Sequence, residues 1–113
     1  MKLQLFCDNK EHDMITKITN ENYEKEVLQA SGTVVVDFYA DWCGPCQMQG
    51  PIIEELAGER EDVKFCKLNT DEAVAVAIQN GITSIPTIMV VKDGEITFKE
   101  AGLMSKSELE ALL

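Results

Sequence analysis

Residues 33–46 read TVVVDFYADWCGPC, and they join an apolar strand pattern directly to two thiols spaced three residues apart. The β-branched and aromatic run of 33–39 is typical of a central strand that is covered on both faces. After it, Cys43 and Cys46 fall on the same side of a predicted helical turn, where their sulfurs can close a small disulfide ring or open to a dithiol. The stretch therefore predicts a redox-active site at the end of a buried strand.

The residues between the cysteines favour a helix that begins at the motif. Pro45 suits a first helical turn, because the amide that proline lacks would have no intrahelical partner there. Cys43 then lies at the helix N-terminus, where unpaired backbone N–H groups and the helix dipole favour an anion and lower a thiol pKa. We predict that Cys43 is the nucleophile and that Cys46, one turn into the helix, is the resolving thiol.

Length and charge limit the remaining possibilities. The chain has 113 residues, of which 45% are hydrophobic, and this size favours one folded domain. Its 20 acidic residues against 10 basic ones give a formal net charge of -10, which disfavours binding to nucleic acid or to anionic membranes. The apolar runs are too short for a membrane span and no signal peptide is recognisable. We expect a monomeric cytoplasmic protein whose partners are proteins.

Strand and helix patterns alternate along the chain. Together they predict an α/β sheet layered between helices, with the cysteines at the carboxyl end of a central strand. The predicted strands cover residues 14–18, 33–39, 63–68, 87–91 and 95–101, the last two as a hairpin. The predicted helices cover about 20–30, capped by Thr19 or Asn20, then 44–60, 71–78, capped by Asp71, and 105–113, capped by Ser105.

Several separated motifs make the chain strongly similar to the thioredoxin family from about Met14 to Leu113. They are Val36-Asp37-Phe38, Ala40-Asp41-Trp42-Cys43-Gly44-Pro45-Cys46, Pro51, Lys67, Ile85-Pro86-Thr87, Lys92-Asp93-Gly94 and Gly102. The resemblance implies the thioredoxin fold, a central mixed β-sheet of about five strands sandwiched between helices, over residues 14–113, with residues 1–13 as an N-terminal extension. It also implies a thiol–disulfide oxidoreductase that has no cofactor of its own, reduces protein disulfides and is re-reduced by a thioredoxin reductase-type partner.

Asp37 lies within the apolar strand pattern, where an ionised carboxylate is costly, so its pKa should be raised. By resemblance it serves Cys46 as a proton carrier, through water, while Lys67 on the neighbouring strand tempers its charge. A carboxylate turned to the surface, or one merely paired with Lys67, is the structural alternative.

Pro86 would interrupt a strand, so it should stand at the start of one. By resemblance its peptide bond with Ile85 is cis and the proline faces the cysteines, and a trans turn proline is the alternative. The resemblance also implies a shallow groove for the substrate backbone, lined by Trp42, Gly44, Pro45, Ile85, Ala101 and Gly102. For Trp42, packing in the core is the alternative.

The other cysteines and the single histidine have simpler interpretations. Cys66 should be a buried, inert thiol in a strand. Cys7 and His12 belong to residues 1–13, which we expect to be mobile or loosely docked. A zinc site made from Cys7, His12, Cys43 and Cys46 has four suitable ligands, but the first two lack compact spacing with the others.

Three residues depart from the common pattern of the family. Gln47, Tyr39 and Ser84 replace a usual lysine, a frequent tryptophan and a common glycine, and they bear on redox potential and partner choice rather than on the reaction. Two other functions stay open. One is a dithiol oxidant or isomerase of the same fold, which the Gly44-Pro45 pair disfavours because it offers no histidine to stabilise the reduced form. The other is a redox-silent interaction or metal-binding module.

Overall fold

A computed structural model describes residues 14–113, in which five strands form one mixed sheet. The strands are β1 (Ile15–Ile18), β2 (Thr33–Tyr39), β3 (Val63–Asn69), β4 (Thr87–Lys92) and β5 (Glu95–Ala101). Their order is β1-β3-β2-β4-β5, with β1, β3 and β2 parallel, β4 antiparallel to β2, and β5 antiparallel to β4. This topology confirms the predicted fold class and the central position of β2.

Strand β2 is buried on both of its faces. Val34 and Val36 join a core cluster on one face of the sheet, whereas Val35 joins a second cluster on the other. Consecutive side chains of a strand point to opposite faces, so a continuous apolar run is what a strand covered on both sides requires. The residues that follow β2 are therefore held on a rigid, buried support.

Helical segments cover the two faces of the sheet. They are a π-helical turn (Glu24–Leu28) and helices α1 (Gly44–Glu59), α2 (Val74–Gln79) and α3 (Lys106–Glu110). The π-helical turn and α2 contribute Val27 and Val76 to the first cluster, and α1 and α3 contribute Leu56 and Leu109 to the second. Among residues 14–113, none of the helices is long and apolar enough to cross a membrane.

The first predicted helix differs most from expectation. Thr19 does begin a turn, because its Oγ1 accepts hydrogen bonds of 3.2 Å from the N–H groups of Glu21 and Asn22. The Asn22 side chain in turn accepts a bond of 2.7 Å from the N–H of Thr19, so the two residues are paired reciprocally, as in a capping box. The Tyr23 N–H bonds to the Thr19 carbonyl oxygen at 3.2 Å, and the chain then continues as the π-helical turn Glu24–Leu28 instead of the predicted helix over about 20–30.

Helix α2 is capped by a residue that is distant in sequence. The predicted cap, Asp71, lies outside the helix, and the prediction that it caps α2 is wrong. Instead, Oδ1 of Asn20 accepts a hydrogen bond of 3.2 Å from the N–H of Val76 in the first turn of α2. A local sequence pattern does not reveal a cap that comes from another element. The predicted Ser105 cap of α3 is confirmed, and Glu108 completes a capping box there.

Candidate active site

The cysteine motif lies where β2 leads into α1. Cys43 is the N-cap of α1, and Pro45 lies in the first helical turn, as the sequence predicts. The Cys43 sulfur accepts a hydrogen bond of 3.2 Å from the backbone N–H of Cys46. The two cysteines form a disulfide with a Cα–Cα distance of 5.3 Å. Cys43 therefore occupies the position at which a helix N-terminus favours a thiolate once the disulfide is reduced.

Both cysteines are largely shielded from solvent. Each is 5% exposed, and together with Ala40 they form a small apolar cluster. Ile85 packs against this cluster, and its carbonyl oxygen lies 3.7 Å from the Cys43 sulfur. Because the surroundings are apolar, the hydrogen bond from the helix N-terminus acts on the sulfur with little dielectric screening.

Asp37 is a buried carboxyl group beneath the motif. It is 4% exposed, and its Oδ1 has no hydrogen-bond partner within residues 14–113. Burial raises its pKa to about 7, because desolvation disfavours the charged form. The predicted direction of this pKa shift is confirmed, and the alternative of a carboxylate turned to the surface is wrong. Lys67 lies opposite Asp37 in the pairing of β2 with β3, with its own side chain exposed.

A cavity of about 360 Å³ joins Asp37 to Cys46. Both residues line it, together with Lys67, Gln47 and Glu54. A polar cavity of this size has room for water molecules that bridge its walls. The cavity therefore offers a path along which a proton can pass between the resolving thiol and the buried carboxyl group.

The segment before β4 meets the end of β5 beside the cysteines. The Ile85–Pro86 peptide bond is cis, and Pro86 directly precedes β4, as predicted. Gly102 donates a hydrogen bond of 2.8 Å from its N–H to the Pro86 carbonyl oxygen, and Ala101 pairs with Thr87. The structure thus places Ile85 against the cysteine cluster and joins the exposed Ala101 and Gly102 to the segment that follows it, while Pro86 itself is buried.

Trp42 is a surface residue and does not pack in the core. It is 71% exposed, and its Nε1 donates a hydrogen bond of 2.9 Å to Oδ2 of Asp71. Sequence reasoning missed this role of Asp71, which it assigned to a helix cap. The position of Asp71 just after β3 was the available clue, because the carboxyl ends of adjacent parallel strands lie at one edge of a sheet.

Cys66 lies apart from the motif, inside the first core cluster. It is buried, and burial raises its pKa to about 12, as expected of an inert thiol. Cys7 and His12 lie outside the described residues. The alternative of a zinc site that includes them therefore also lies outside what the structure describes.

Comparisons with known proteins agree with the motifs. The family model Thioredoxin matches residues 14–113. The chain is 42% identical over 100 residues to a thioredoxin of Pseudomonas aeruginosa, which covers 88% of this chain and 93% of that relative. It is 46% identical over 93 residues to thioredoxin 1 of Synechococcus elongatus, which covers 81% of this chain and 87% of the relative. A thioredoxin of Mycoplasmoides gallisepticum is 43% identical over 96 residues, or 85% of this chain and 96% of the relative.

The family match and the site geometry point to the same chemistry. The matched range is the range that the structure describes as one sheet with its helices, and it contains a cysteine pair at disulfide distance on a helix N-terminus. The chain belongs to the thioredoxin family, and it is a thiol–disulfide oxidoreductase.

Proposed function

We propose that the chain reduces disulfide bonds of other proteins, with Cys43 as the nucleophile and Cys46 as the resolving thiol. The observation that carries this proposal is the position of the Cys43 sulfur at the start of α1, where it accepts the Cys46 N–H. In the reduced protein, that N–H and the helix dipole stabilise a thiolate at Cys43. Cys46 lies one turn further along and shares a cavity with Asp37.

The first step forms a mixed disulfide. The Cys43 thiolate attacks one sulfur of the substrate disulfide, and the substrate S–S bond breaks as the new S–S bond forms. The departing substrate sulfur leaves as a thiolate and takes up a proton from solvent. At this stage the chain and its substrate are covalently joined through Cys43.

The second step releases the substrate. Cys46 gives its thiol proton through the cavity to Asp37, whose pKa of about 7 suits it to accept a proton near neutral pH. The Cys46 thiolate then attacks the Cys43 sulfur, closes the disulfide of the chain and expels the second substrate thiolate. The substrate gains two electrons and the chain loses two. Lys67, opposite Asp37 across the strand pair, partly offsets the negative charge that Asp37 acquires when it is ionised.

We assign substrate contact to the surface around the cysteines. Its support is the pairing of Gly102 with Pro86 and the packing of Ile85 on the cysteine cluster, which place backbone and apolar groups beside Cys43. An extended substrate segment can lie along such a surface with its disulfide over Cys43. The contact residues in this proposal are Trp42, Gly44, Pro45, Ile85, Ala101 and Gly102.

A second partner must return the disulfide to the dithiol. Family members act on disulfide substrates together with reductase partners, and we assign to this chain a thioredoxin reductase-type electron donor. The net charge of -10 favours partners with basic surfaces, because complementary charge speeds encounter. We place a monomeric chain in the cytoplasm, where a thiol such as Cys66, free in the part of the chain that the structure describes, stays reduced.

The order of the two thiols can be tested by trapping the intermediate. Reduced Cys46→Ser should form a covalent adduct with insulin that persists, whereas Cys43→Ser should form none and should have no disulfide-reducing activity. Non-reducing gels and mass spectrometry detect the adduct. An adduct with Cys43→Ser alone would reverse the two roles. A wild-type protein that oxidises reduced substrates but does not reduce insulin would favour the oxidant or isomerase alternative.

A further inference from the structure

Gln49 is a buried amide in α1, one helical turn after Cys46. It is fully buried, and its Nε2 donates a hydrogen bond of 3.1 Å to the Met104 carbonyl oxygen. Its Oε1 accepts a hydrogen bond of 2.8 Å from the Met104 N–H. Both polar ends of the amide thus pair with the backbone of one residue. A buried amide is costly unless its polar atoms are paired. These two hydrogen bonds therefore fix the position of Met104 relative to α1.

Met104 belongs to the segment that forms one edge of the proposed substrate surface. Two residues earlier, Gly102 donates a hydrogen bond of 2.8 Å to the Pro86 carbonyl oxygen. Residues 102–104 are therefore tied at one end to Pro86 and at the other end to the helix that carries Cys46. Between the two ties lies Leu103, which is 43% exposed.

We infer that Gln49 is a positioning residue for protein substrates: it holds the edge formed by residues 102–104 at a fixed place beside the cysteines. This inference rests on the proposed reduction of protein disulfides. Gln49 is fully buried and touches no substrate itself. Its effect is to order the edge before a substrate arrives, so that binding does not have to supply the free energy of ordering it.

The chain offers a control contact that also ends on α1, two residues after Met104. Lys106 Nζ lies 3.0 Å from Glu55 Oε2 and 2.8 Å from Glu59 Oε2, so it ties the start of α3 to α1. These ion pairs are partly exposed and do not involve residues 102–104. Lys106→Met removes a link between the two helices while it leaves both bonds of Gln49 in place.

The test compares a protein disulfide with a small one. Pre-reduced wild type, Gln49→Met and Lys106→Met are mixed with excess insulin or with the small aromatic disulfide DTNB. Single-turnover rates are followed as substrate concentration rises, and the half-saturating concentration and the limiting rate are taken as KM and kcat. Gln49→Met should raise the KM for insulin about fivefold to tenfold and keep kcat within about twofold, because two hydrogen bonds that order the edge are lost. Its rate with DTNB should equal that of wild type, because a small disulfide needs no groove. Lys106→Met should leave the KM for insulin unchanged.

A structural readout on the same variants locates the effect. The amide proton of Met104 should be protected from exchange with solvent in wild type and in Lys106→Met, and exchange rapidly in Gln49→Met. Gln49→Asn has an amide that is one methylene too short to reach both atoms of Met104, so it should show the same change in KM. It replaces Gln49→Met in the test if that variant does not fold.

Two results would overturn the inference while the proposed function stands. One is an unchanged KM for insulin in folded Gln49→Met and Gln49→Asn. The other is an equal loss of rate with insulin and with DTNB. A wild-type protein that fails to reduce insulin would instead refute the proposed function itself.

Discussion

Cys46 and Cys66 have nearly the same shielding, at 5% and 0% exposure, yet they lie in opposite chemical surroundings. Cys46 follows the N-terminus of α1 and borders the cavity that it shares with Asp37. Cys66 lies within β3 in an apolar cluster, and burial raises its pKa to about 12. Shielding alone therefore does not set the reactivity of a thiol. Nearby hydrogen-bond donors and a proton acceptor set it.

The register of the sheet keeps the proton acceptor away from Cys66. In the β2–β3 pair, Val36 lies opposite Cys66 and Asp37 lies opposite Lys67. Paired residues share a face of the sheet and successive residues alternate, so Asp37 and Cys66 point to opposite faces. A shift of β3 by one residue would place Cys66 on the face of Asp37, and the contrast between the two thiols would be lost.

Alkylation gives the largest expected contrast between the redox motif, here represented by its nucleophile Cys43, and the buried thiol of Cys66. In the reduced protein, iodoacetamide near neutral pH should modify Cys43 at least about 1000-fold faster than Cys66, because only the thiolate reacts and burial suppresses it at Cys66. Mass spectrometry of digested samples taken over time measures both rates. Modification of Cys66 at a rate near that of Cys43 in the folded protein would contradict the claim that burial in the apolar cluster makes Cys66 unreactive.

Asp37→Asn tests the proton acceptor through stability. Burial raises the Asp37 pKa to about 7 from 3.8, so the folded state binds this proton more tightly than the unfolded state. The free energy of unfolding of wild type should therefore fall as pH rises from about 4 to about 7, and stay low above that. Asp37→Asn should remove the fall and make the oxidised protein about 3 to 4 kcal/mol more stable than wild type near pH 8.

Urea unfolding of both proteins near pH 4 and near pH 8 measures this effect. The difference between wild type and Asp37→Asn should be small at the lower pH and large at the higher one. An equal difference at the two pH values would show that the pKa of Asp37 is not raised by burial.

The same variant should also slow catalysis. Without the carboxyl group, Cys46 must lose its proton directly to solvent, so insulin reduction near neutral pH should slow about tenfold and depend less on pH. Single-turnover rates of the reduced proteins over a range of pH check this. A pH–rate profile identical to that of wild type would remove Asp37 from the proton path.

Substitutions of Cys66 should change stability and leave activity intact. Cys66→Ser puts a hydroxyl into the apolar cluster and should lower the free energy of unfolding by about 1 to 3 kcal/mol. Cys66→Val, the apolar control, should stay within about 1.5 kcal/mol of wild type. Both variants should reduce insulin within about twofold of the wild-type rate. A large loss of activity in Cys66→Val would make Cys66 part of the redox machinery.

The smallest expected effect concerns the hydrogen bond between Trp42 and Asp71. This bond is exposed, so Asp71→Ala should change the free energy of unfolding by only about 0.5 kcal/mol. It should release the indole and lower its fluorescence anisotropy, whereas Asp71→Asn keeps an acceptor and should not. Equal anisotropy in Asp71→Ala and wild type would mean that the bond does not hold the ring in solution.

Local sequence patterns predicted the parts of the fold that local patterns determine. The predicted bounds of β2 and β5 agree with the structure, and α1 begins at Gly44 as expected. The run of valines identified β2 as central, and the three-residue spacing of the cysteines identified the redox motif. The raised pKa of Asp37 followed from its place in the same buried run.

The errors arose where a distant residue or a side chain decided the outcome. The cap of α2 comes from Asn20 in another element, and Asp71 binds Trp42 instead of capping a helix. The sequence analysis also assigns no role to Gln49, whose two hydrogen bonds go to the backbone of Met104, 55 positions further along the chain. Such contacts depend on the tertiary arrangement, and no window of the sequence contains both partners.

The cap that Asn20 provides has a consequence for the order in which the molecule assembles. Helix α2 has six residues and Ala73 as its N-cap, so it is too short and too poorly capped to persist alone. The side chain that caps it is 56 positions away, and closing a loop of that length costs conformational entropy before the contact can stabilise the helix. The segment with Ile85 and Pro86 follows α2 after the short connection 80–84. Since residues 43–46 also precede this segment in the chain, we expect the thiol motif to form before the surface that selects its targets.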